Sequence, residues 1–292
     1  MQDELQKKLR IGEQKHTAKQ QGVSHDGIYS WSTYQNYLSK ACAFVKWAKA
    51  EHGCRTLSQA RNYVDDYLKH HIDNGYSPYT QKLIACSLAK LYGCSTTDFI
   101  PTQVRHRSNI TRSLKCKESG KSKAKFSEVK NQDFMDFCKA TGLRRHEIKS
   151  LKPENLGYDH DTGTYKLVDI KGKGGKVRDC PIVSTKDGVV EMVVNKIKNT
   201  PMGQKVWNKI PSRADIHSYR AEYCKTIYSL HSRVIDKTLK HDRYYCRSEL
   251  KGIIYDKRAM TIASRALGHN RISVIAGHYL YSIDSVGICT NS

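Results

Sequence analysis

Residues 140–148 of the chain read ATGLRRHEI, and this stretch decides how the second half of the sequence is interpreted. Regularly spaced phenylalanines before it predict a helix that ends near Gly142. After the glycine, a second helical segment carries residues 144–151 as far as a proline. Arg144 and Glu147 are one helical turn apart, a spacing that brings two side chains together. The stretch therefore predicts two helices joined at a glycine, with an arginine and a carboxylate close to the junction.

A glycine-rich turn lies downstream between two β-rich segments. Residues 164–170 and 176–183 read as strands, and KGKGG at 171–175 separates them. This pattern predicts a β-hairpin with lysines at its tip. The phosphate-binding P-loop leads from its glycines into a helix, whereas this turn leads into a strand. The sequence therefore disfavours ATP binding.

The rest of the second half alternates helices with one more pair of strands. Helical patterns recur at about 186–198, 216–232 and 256–268, and aromatic and β-branched residues on both sides of a polar turn predict a second hairpin at 242–255. No internal repeat is visible. The predicted fold class is mainly α with a small β-sheet, in an α+β domain that spans residues 126–292.

The first half reads as a small all-helical domain, residues 1–104, after a polar start of about 25 residues. One helix covers residues 34–50, with Ser32 or Thr33 as its cap. A second follows a cap at Thr56 and ends at residues 74–75, and a third runs from residues 77–78 to a glycine at position 93.

A basic linker, residues 105–125, joins the two domains. Eight basic residues against one acidic residue give it a net charge of +7, and it has no apolar periodicity. Such a linker is either solvated or lies along a phosphate backbone, and composition favours neither alternative. The candidate DNA-contacting residues are Arg105, Arg107, Arg112, Lys121, Lys123, Lys125 and, beside the hairpin turn, Lys176.

Charge and composition limit the classes of protein that the chain can belong to. Its 292 residues contain 50 Lys and Arg against 28 Asp and Glu, a net charge of +22 that attracts polyanions such as DNA or RNA. No apolar run approaches the roughly 18 residues of a membrane span, and the charged N-terminus lacks the apolar core of a secretory signal. We therefore expect a cytoplasmic protein without a membrane partner. The ten scattered cysteines form no C-x-x-C pair, so we expect neither disulfides nor a metal site.

Five elements, in order, resemble the tyrosine recombinase (phage-type integrase) family. The T-G-x-R-x-x-E box lies at residues 141–147, and G-K-G follows at 172–174. HSYR at 217–220 resembles the H-x-x-R box, LGH at 267–269 resembles the L-G-H box, and Tyr279 lies near the C-terminus. The resemblance covers residues 126–279. The upstream helical domain resembles the family's core-binding domain but carries no comparable signature.

The resemblance implies a DNA strand-exchange reaction without metal, ATP or any other cofactor. Tyr279 would attack a phosphodiester and form a 3′-phosphotyrosine. The other implied catalytic residues are Arg144 and Arg220, which neutralise the phosphorane, Lys173, the general acid, and His217 and His269. His217 would help to deprotonate the tyrosine, His269 would hydrogen-bond the phosphate or the attacking oxygen, and Glu147 would support the site.

The resemblance also implies partners and a setting. These are double-stranded DNA, a homotetramer on paired DNA sites, and DNA-bending or directionality proteins as candidate accessory factors. The expected role is integration or excision of a mobile genetic element in the nucleoid of a bacterium. A type IB topoisomerase, which acts alone, and a catalytically silent DNA-binding module are the alternative functions.

Several assignments stay open in the sequence. Tyr279 follows His269 by ten residues, where many relatives have nine, and Tyr281 is the alternative nucleophile. Lys171 and Lys176 flank Lys173 and are alternatives for the general acid. The hairpin at 242–255 either decorates the surface or contacts DNA or a neighbouring subunit. The short apolar tail after Tyr279 either docks on an adjacent protomer or frays.

Overall fold

A computed structural model describes residues 1–23, 26–106, 126–172, 175–269 and 271–280. The chain divides into two compact units, Met1–Ile110 and Thr111–Ser292. The division falls within the predicted linker, residues 105–125. Within the described ranges, no helix is both long and apolar enough to cross a membrane.

The first unit is helical and packs around its three longest helices. Its helices are α1 (Gln2–Gln6), α2 (Lys15–Gln20), α3 (Trp31–His52), α4 (Leu57–Arg61), α5 (Val64–Asp73) and α6 (Pro78–Tyr92). Phe44, Leu68 and Leu88, one from each of α3, α5 and α6, are fully buried in its core. Apolar side chains at helical spacing therefore place these helices around one core, as the sequence predicts.

Three details of this unit differ from the prediction. Ser30 caps α3, because its Oγ accepts a hydrogen bond from the backbone N–H of Thr33 at 3.2 Å. The predicted caps, Ser32 and Thr33, lie inside the helix. The second predicted helix is two helices, α4 and α5, interrupted at residues 62–63. The polar start also contains two short helices, and the first of them is held to the core by the fully buried Leu5.

Among the described residues, the second unit contains the other α-helices, five strands and a π-helical turn. They are α7 (Gln132–Thr141), α8 (Arg145–Ser150), β1 (Leu156–Asp159), β2 (Thr164–Lys171), β3 (Val177–Pro181), α9 (Val189–Lys198), α10 (Ile216–His231), β4 (Arg243–Tyr245), β5 (Ile254–Asp256), α11 (Lys257–Ala266), α12 (Ser273–Ile275) and a π-helical turn (Ala276–Leu280). The fold class is mainly α with a small antiparallel sheet, as predicted.

The strands form two antiparallel sheets. The first has the order β1-β2-β3, with Leu156 opposite Leu167 and Leu167 opposite Cys180. The predicted hairpin supplies β2 and β3, whereas the sequence analysis missed β1, a four-residue strand without buried side chains. The second sheet, β4-β5, pairs Tyr244 with Tyr255 and confirms the second hairpin.

Helix α10 crosses the core of this unit, and its packing determines where the site residues lie. Tyr223 of α10 is completely buried, and its hydroxyl donates to the carbonyl of Pro181 at 2.8 Å. The same ring lies against Gly142, which has a φ of +59° and ends α7. A side chain at residue 142 would overlap this ring, so the glycine allows α7 and α10 to approach closely.

Candidate active site

Arg144 lies in the short link between α7 and α8, two residues after Gly142, and immediately precedes α8. Its backbone N–H donates to Glu147 Oε2 at 2.7 Å, and its Nη1 donates to Glu147 Oε1 at 2.8 Å. The first contact satisfies a free N–H group at the start of the helix. The second holds a guanidinium that remains one quarter exposed. Arg144 is therefore both fixed by Glu147 and accessible to a ligand.

Arg220 lies on α10, and its side chain extends toward Arg144. Its side chain is almost completely buried, and it donates from Nη1 to the carbonyl of Gly142 and from Nη2 to the carbonyl of Leu267. Arg144 Nη2 donates to that same Leu267 carbonyl at 3.4 Å. Arg220 Nε has no hydrogen-bond partner among the described residues. One backbone oxygen thus brings two guanidinium groups together.

Burial and the neighbouring groups together determine the pKa of Arg220. Burial lowers the pKa of its guanidinium, the electrostatic interaction with Tyr279 opposes this effect, and the charge of the nearby Arg144 adds to it. A guanidinium stays protonated in proteins, so the two positive charges persist side by side. An anion that enters between them would relieve their repulsion.

His269 and Tyr279 form the opposite side of the cluster. The turn after α11 is fixed by a hydrogen bond from the backbone N–H of His269 to the carbonyl of Ser264 at 2.8 Å. From this turn His269 Nε2 lies 3.1 Å from the hydroxyl of Tyr279, whose side chain is buried in the π-helical turn. Burial, and next the charges of Arg220 and Arg144, lower the pKa of His269 to about 4. The imidazole is therefore neutral at pH 7.

His217 lies at the exposed start of α10. Its ring meets the ring of Tyr279 edge to face, with 5.9 Å between the ring centroids and an angle of 89° between the planes. Asp215 caps the helix by accepting from the backbone N–H of Ser218 at 3.1 Å, which fixes this first turn. His217 therefore packs against the tyrosine, while His269 contacts the tyrosine hydroxyl.

The sequence analysis missed Arg178, which the structure places under this cluster. Arg178 lies on β3, is buried, and donates from Nη1 and Nη2 to Oε1 and Oε2 of Glu147, both at 2.8 Å. Burial alone would raise the pKa of Glu147, but hydrogen bonds from Arg178 and from Arg144 lower it to about 2. A charged residue in the KVRDCPI strand was the available signal, since arginine is seldom buried without a partner.

The structure describes only part of the predicted hairpin tip. Lys173 lies outside the described residues. Its neighbour Gly172 lies against the Glu147–Arg178 pair: a Cβ atom at this position would be 3.3 Å from Arg178 Nη1 and 3.4 Å from Glu147 Oε1. Lys171 and Lys176, the alternatives for the general acid, are both exposed. The base of the hairpin is therefore next to the cluster.

The structure describes two of the candidate DNA-contacting residues. Lys176 is the exposed lysine beside the hairpin turn, and Arg105 lies over the ring of Tyr79 in the first unit, 5.6 Å from its centroid. The other candidates, and the alternative nucleophile, lie outside the described residues; these are Arg107, Arg112, Lys121, Lys123, Lys125 and Tyr281.

Four predicted site residues, Arg144, Arg220, His269 and Tyr279, are brought together, and His217 adjoins them through Tyr279.

Comparison with known proteins gives structural similarity only. No family model matches the chain, and no curated protein matches its sequence. The Tn1549 transposon integrase in complex with circular intermediate DNA is 13% identical, with 82% of this chain and 94% of that chain covered and a TM-score of 0.41. A variant of that integrase in complex with transposon right end DNA is 13% identical, with 94% and 99% covered and a TM-score of 0.45. The similarity concerns the fold, and at these TM-scores no functional conclusion follows from it.

Proposed function

We propose that the chain is a tyrosine recombinase that cuts and rejoins DNA strands through Tyr279. One observation carries the proposal: His269 Nε2 lies 3.1 Å from the hydroxyl of the buried Tyr279, and the Leu267 carbonyl, two residues before His269, accepts hydrogen bonds from both Arg144 and Arg220. Two guanidiniums that share the Leu267 carbonyl provide a clamp for a phosphate, and the tyrosine provides a nucleophile. Metal-free cleavage of a phosphodiester requires these two groups and a general acid for the leaving oxygen.

In the proposed reaction the Tyr279 oxygen attacks the phosphorus and the bond from phosphorus to the 5′ oxygen breaks. The protein is then linked to the 3′ phosphate of the cut strand. Arg144 and Arg220 stabilise the extra negative charge of the pentacoordinate phosphorane, because forked guanidiniums match its non-bridging oxygens. Lys173 remains the predicted donor of a proton to the departing 5′ oxygen. A 5′ hydroxyl from another strand reverses these steps, so rejoining needs no ATP.

His269 is the group best placed to receive the tyrosine proton. Its Nε2 lies 3.1 Å from the Tyr279 hydroxyl, within hydrogen-bond distance, and the ring is neutral at pH 7. Burial is the main reason that the ring is neutral, and the arginines that add to this effect are the groups that would bind the phosphate. Once an anion neutralises them, the imidazole becomes more basic as the attack begins. His217 keeps its predicted role as an aid at the edge of the tyrosine ring.

Several finer points belong to this proposal. Double-stranded DNA is the partner that the charge of +22 favours, with contacts from the helical domain (1–104), the linker (105–125) and the catalytic domain (126–292). A homotetramer on paired sites would integrate or excise a mobile element, with accessory DNA-bending or directionality proteins, in the nucleoid of a bacterial cell. Affinity should fall steeply as salt concentration rises.

Covalent trapping tests the proposal. The full chain is incubated with nicked duplexes from the ends of its own genetic neighbourhood, and a DNA adduct that resists SDS but not protease is sought. We expect the wild type and Tyr158→Phe, an exposed tyrosine of β1, to form the adduct and Tyr279→Phe to lose it. If only Tyr281→Phe lost the adduct, the nucleophile would be Tyr281 and not Tyr279. No adduct on any duplex that the protein binds would contradict the proposed activity and favour a silent DNA-binding module.

Assembly on DNA separates the two enzyme classes. A recombinase should bring two duplexes together in a complex of four protomers, whereas a type IB topoisomerase acts as one protomer and relaxes supercoils. Sedimentation of the protein on its cleaved duplex measures the number of protomers. Four protomers are expected, and supercoil relaxation by a single protomer would contradict the recombinase assignment.

A further inference from the structure

Glu147 lies between two arginines and divides its oxygens equally between them. Oε1 accepts from Nη1 of Arg144 and Nη1 of Arg178, and Oε2 accepts from the backbone N–H of Arg144 and Nη2 of Arg178. The carboxylate has almost no exposed surface. Its orientation is therefore determined by Arg178, which is itself buried, and it determines in turn the side chain of Arg144.

Arg178 is also anchored on its other side. Its Nε donates to the carbonyl of Ala266 at 3.0 Å, at the end of α11. Gly268 lies against its aliphatic part: a Cβ atom there would be 2.7 Å from Arg178 Cδ. Arg178 thus contacts both neighbours of Leu267, whose carbonyl receives Arg144 and Arg220. One buried side chain fixes both the carboxylate and the carbonyl that hold Arg144.

Only arginine offers this set of contacts. Two parallel N–H donors match a carboxylate, and Nε points to the side, toward a third acceptor. A lysine keeps the positive charge and can pair with Glu147, but it cannot hold both oxygens and the Ala266 carbonyl at once. Replacing Arg178 with lysine therefore keeps the positive charge and removes the hydrogen-bond geometry.

We propose that Arg178 is a positioning residue for strand cleavage: it orients Glu147 and the Leu267 carbonyl, and through them it aims the Arg144 guanidinium at the scissile phosphate. The inference rests on the proposed function for its reaction. Arg178 itself is buried and acts without touching DNA.

The experiment measures the single-turnover rate of adduct formation on the nicked duplexes named above for Arg178→Lys, alone and combined with Arg144→Lys. Arg233→Lys is the matched control. Arg233 forms a second two-pronged pair, from Nε and Nη2 to the buried carboxylate of Asp256 at 2.8 and 2.9 Å, at the end of the second hairpin. Thermal unfolding of each variant measures the general loss of stability.

We expect Arg178→Lys to slow adduct formation about 10–100-fold, the usual effect of losing a group that orients a functional side chain. Its Tm should fall no further than that of Arg233→Lys, which should keep the wild-type rate. In the Arg144→Lys background, Arg178→Lys should slow the reaction by less than about threefold, because residues that act through one another are not additive. A full effect in that background, or an equal slowing by Arg233→Lys, would overturn the proposal.

A second measurement does not depend on DNA cleavage. The Nε–H signal of Arg144, assigned through its loss in Arg144→Lys, is followed by NMR in protein labelled with ¹⁵N-arginine. We expect Arg178→Lys to shift this signal and Arg233→Lys to leave it in place. An unshifted signal contradicts the positioning role. If the wild type forms no adduct, the proposed function fails, and this measurement still decides whether Arg178 orients Arg144.

Discussion

The hydroxyl of Tyr279 lies 3.1 Å from Nε2 of His269, close to two guanidinium groups. The imidazole is kept neutral by burial and by Arg220 and Arg144, so it can accept a hydrogen bond from the phenol. An anionic substrate between the arginines would reverse their effect on the imidazole. In the proposed reaction, phosphate binding would therefore make the imidazole a better proton acceptor.

The first prediction concerns the titration of His269. In the free protein its NMR titration should have a midpoint near 4, well below the ordinary value of 6.5. Arg144→Gln removes one of the charges that lower this pKa and should raise the midpoint, whereas Lys198→Gln, on the exposed end of α9, should leave it unchanged. Because the unfolded chain binds this proton more readily, His269 makes the fold less stable as pH falls from 6.5 toward 4. A wild-type midpoint near 6.5 would contradict the described environment.

Arg144→Lys should slow adduct formation much more than it weakens DNA binding. A lysine cannot contact Glu147, the Leu267 carbonyl and a phosphate together, so the loss falls on the transition state and is about 10²–10³-fold. Single-turnover rates and equilibrium binding of the same nicked duplex measure the two effects. The matched control is Arg145→Lys, whose arginine donates instead to the carbonyls of Pro211, Ser212 and Ala214. Equal slowing in both variants would argue against a specific role for Arg144.

Glu147→Gln should destabilise the second unit by about 3–5 kcal/mol, because it leaves buried Arg178 without a charged partner. Urea unfolding measures the change. Glu154→Gln is the control: that carboxylate is exposed to solvent and accepts from the backbone N–H of Gly203, so its loss should destabilise the unit much less. A loss for Glu147→Gln no larger than for the control would show that the pair contributes little.

Acid unfolding tests the same pair in the wild type. The folded pKa of Glu147, about 2, is below its ordinary value of 4.5, so the carboxylate stabilises the fold above pH 4.5. That stability should be lost as pH falls from 4.5 through about 2. Glu147→Gln cannot titrate and should show a shallower dependence over this interval. Identical pH profiles would contradict the predicted shift.

Gly142→Ala should destabilise the second unit more than Gly203→Ala. Both glycines have positive φ, +59° and +79°, so each alanine costs about 1–2 kcal/mol in backbone strain. A Cβ at residue 142 would also lie 2.1 Å from the Tyr223 ring, whereas at residue 203 it meets nothing within 4 Å. Overpacking adds roughly 1–3 kcal/mol at residue 142. Equal losses in urea unfolding would show that the ring moves aside freely.

The sequence predicted the elements that are defined by local signals. Ser77, Pro78 and Gly93 start and end α6 as expected, because caps and fixed backbone angles act over one turn. The break between α4 and α5 and the short strand β1 were missed. Strand β1 is short and has no buried side chain, so it lacks a hydrophobic pattern although it pairs with the next strand. At the break, Tyr63 stacks on His52 of α3, a contact that a local pattern does not encode.

The same distinction applies to the site. Residues within recognisable boxes, such as Arg144 and His269, could be proposed from their local order. The strand pattern could single out Arg178 as a charged residue, but its role could not be proposed, because its partners are a carboxylate 31 positions away and a carbonyl 88 positions away. The sequence also left open whether His269 contacts the phosphate or the attacking oxygen, and the distance of 3.1 Å to the Tyr279 hydroxyl needed three-dimensional geometry.

The π-helical turn at Ala276–Leu280 bears on the unusual interval between His269 and Tyr279. A π turn contains one residue more than an α turn. The ten-residue interval therefore ends in a segment whose backbone is wide enough to hold a surplus residue, and the hydroxyl still reaches the imidazole. An extra residue between His269 and Tyr279 therefore need not move the tyrosine hydroxyl away from the imidazole. Sequence spacing alone is a poor guide to which tyrosine is the proposed nucleophile.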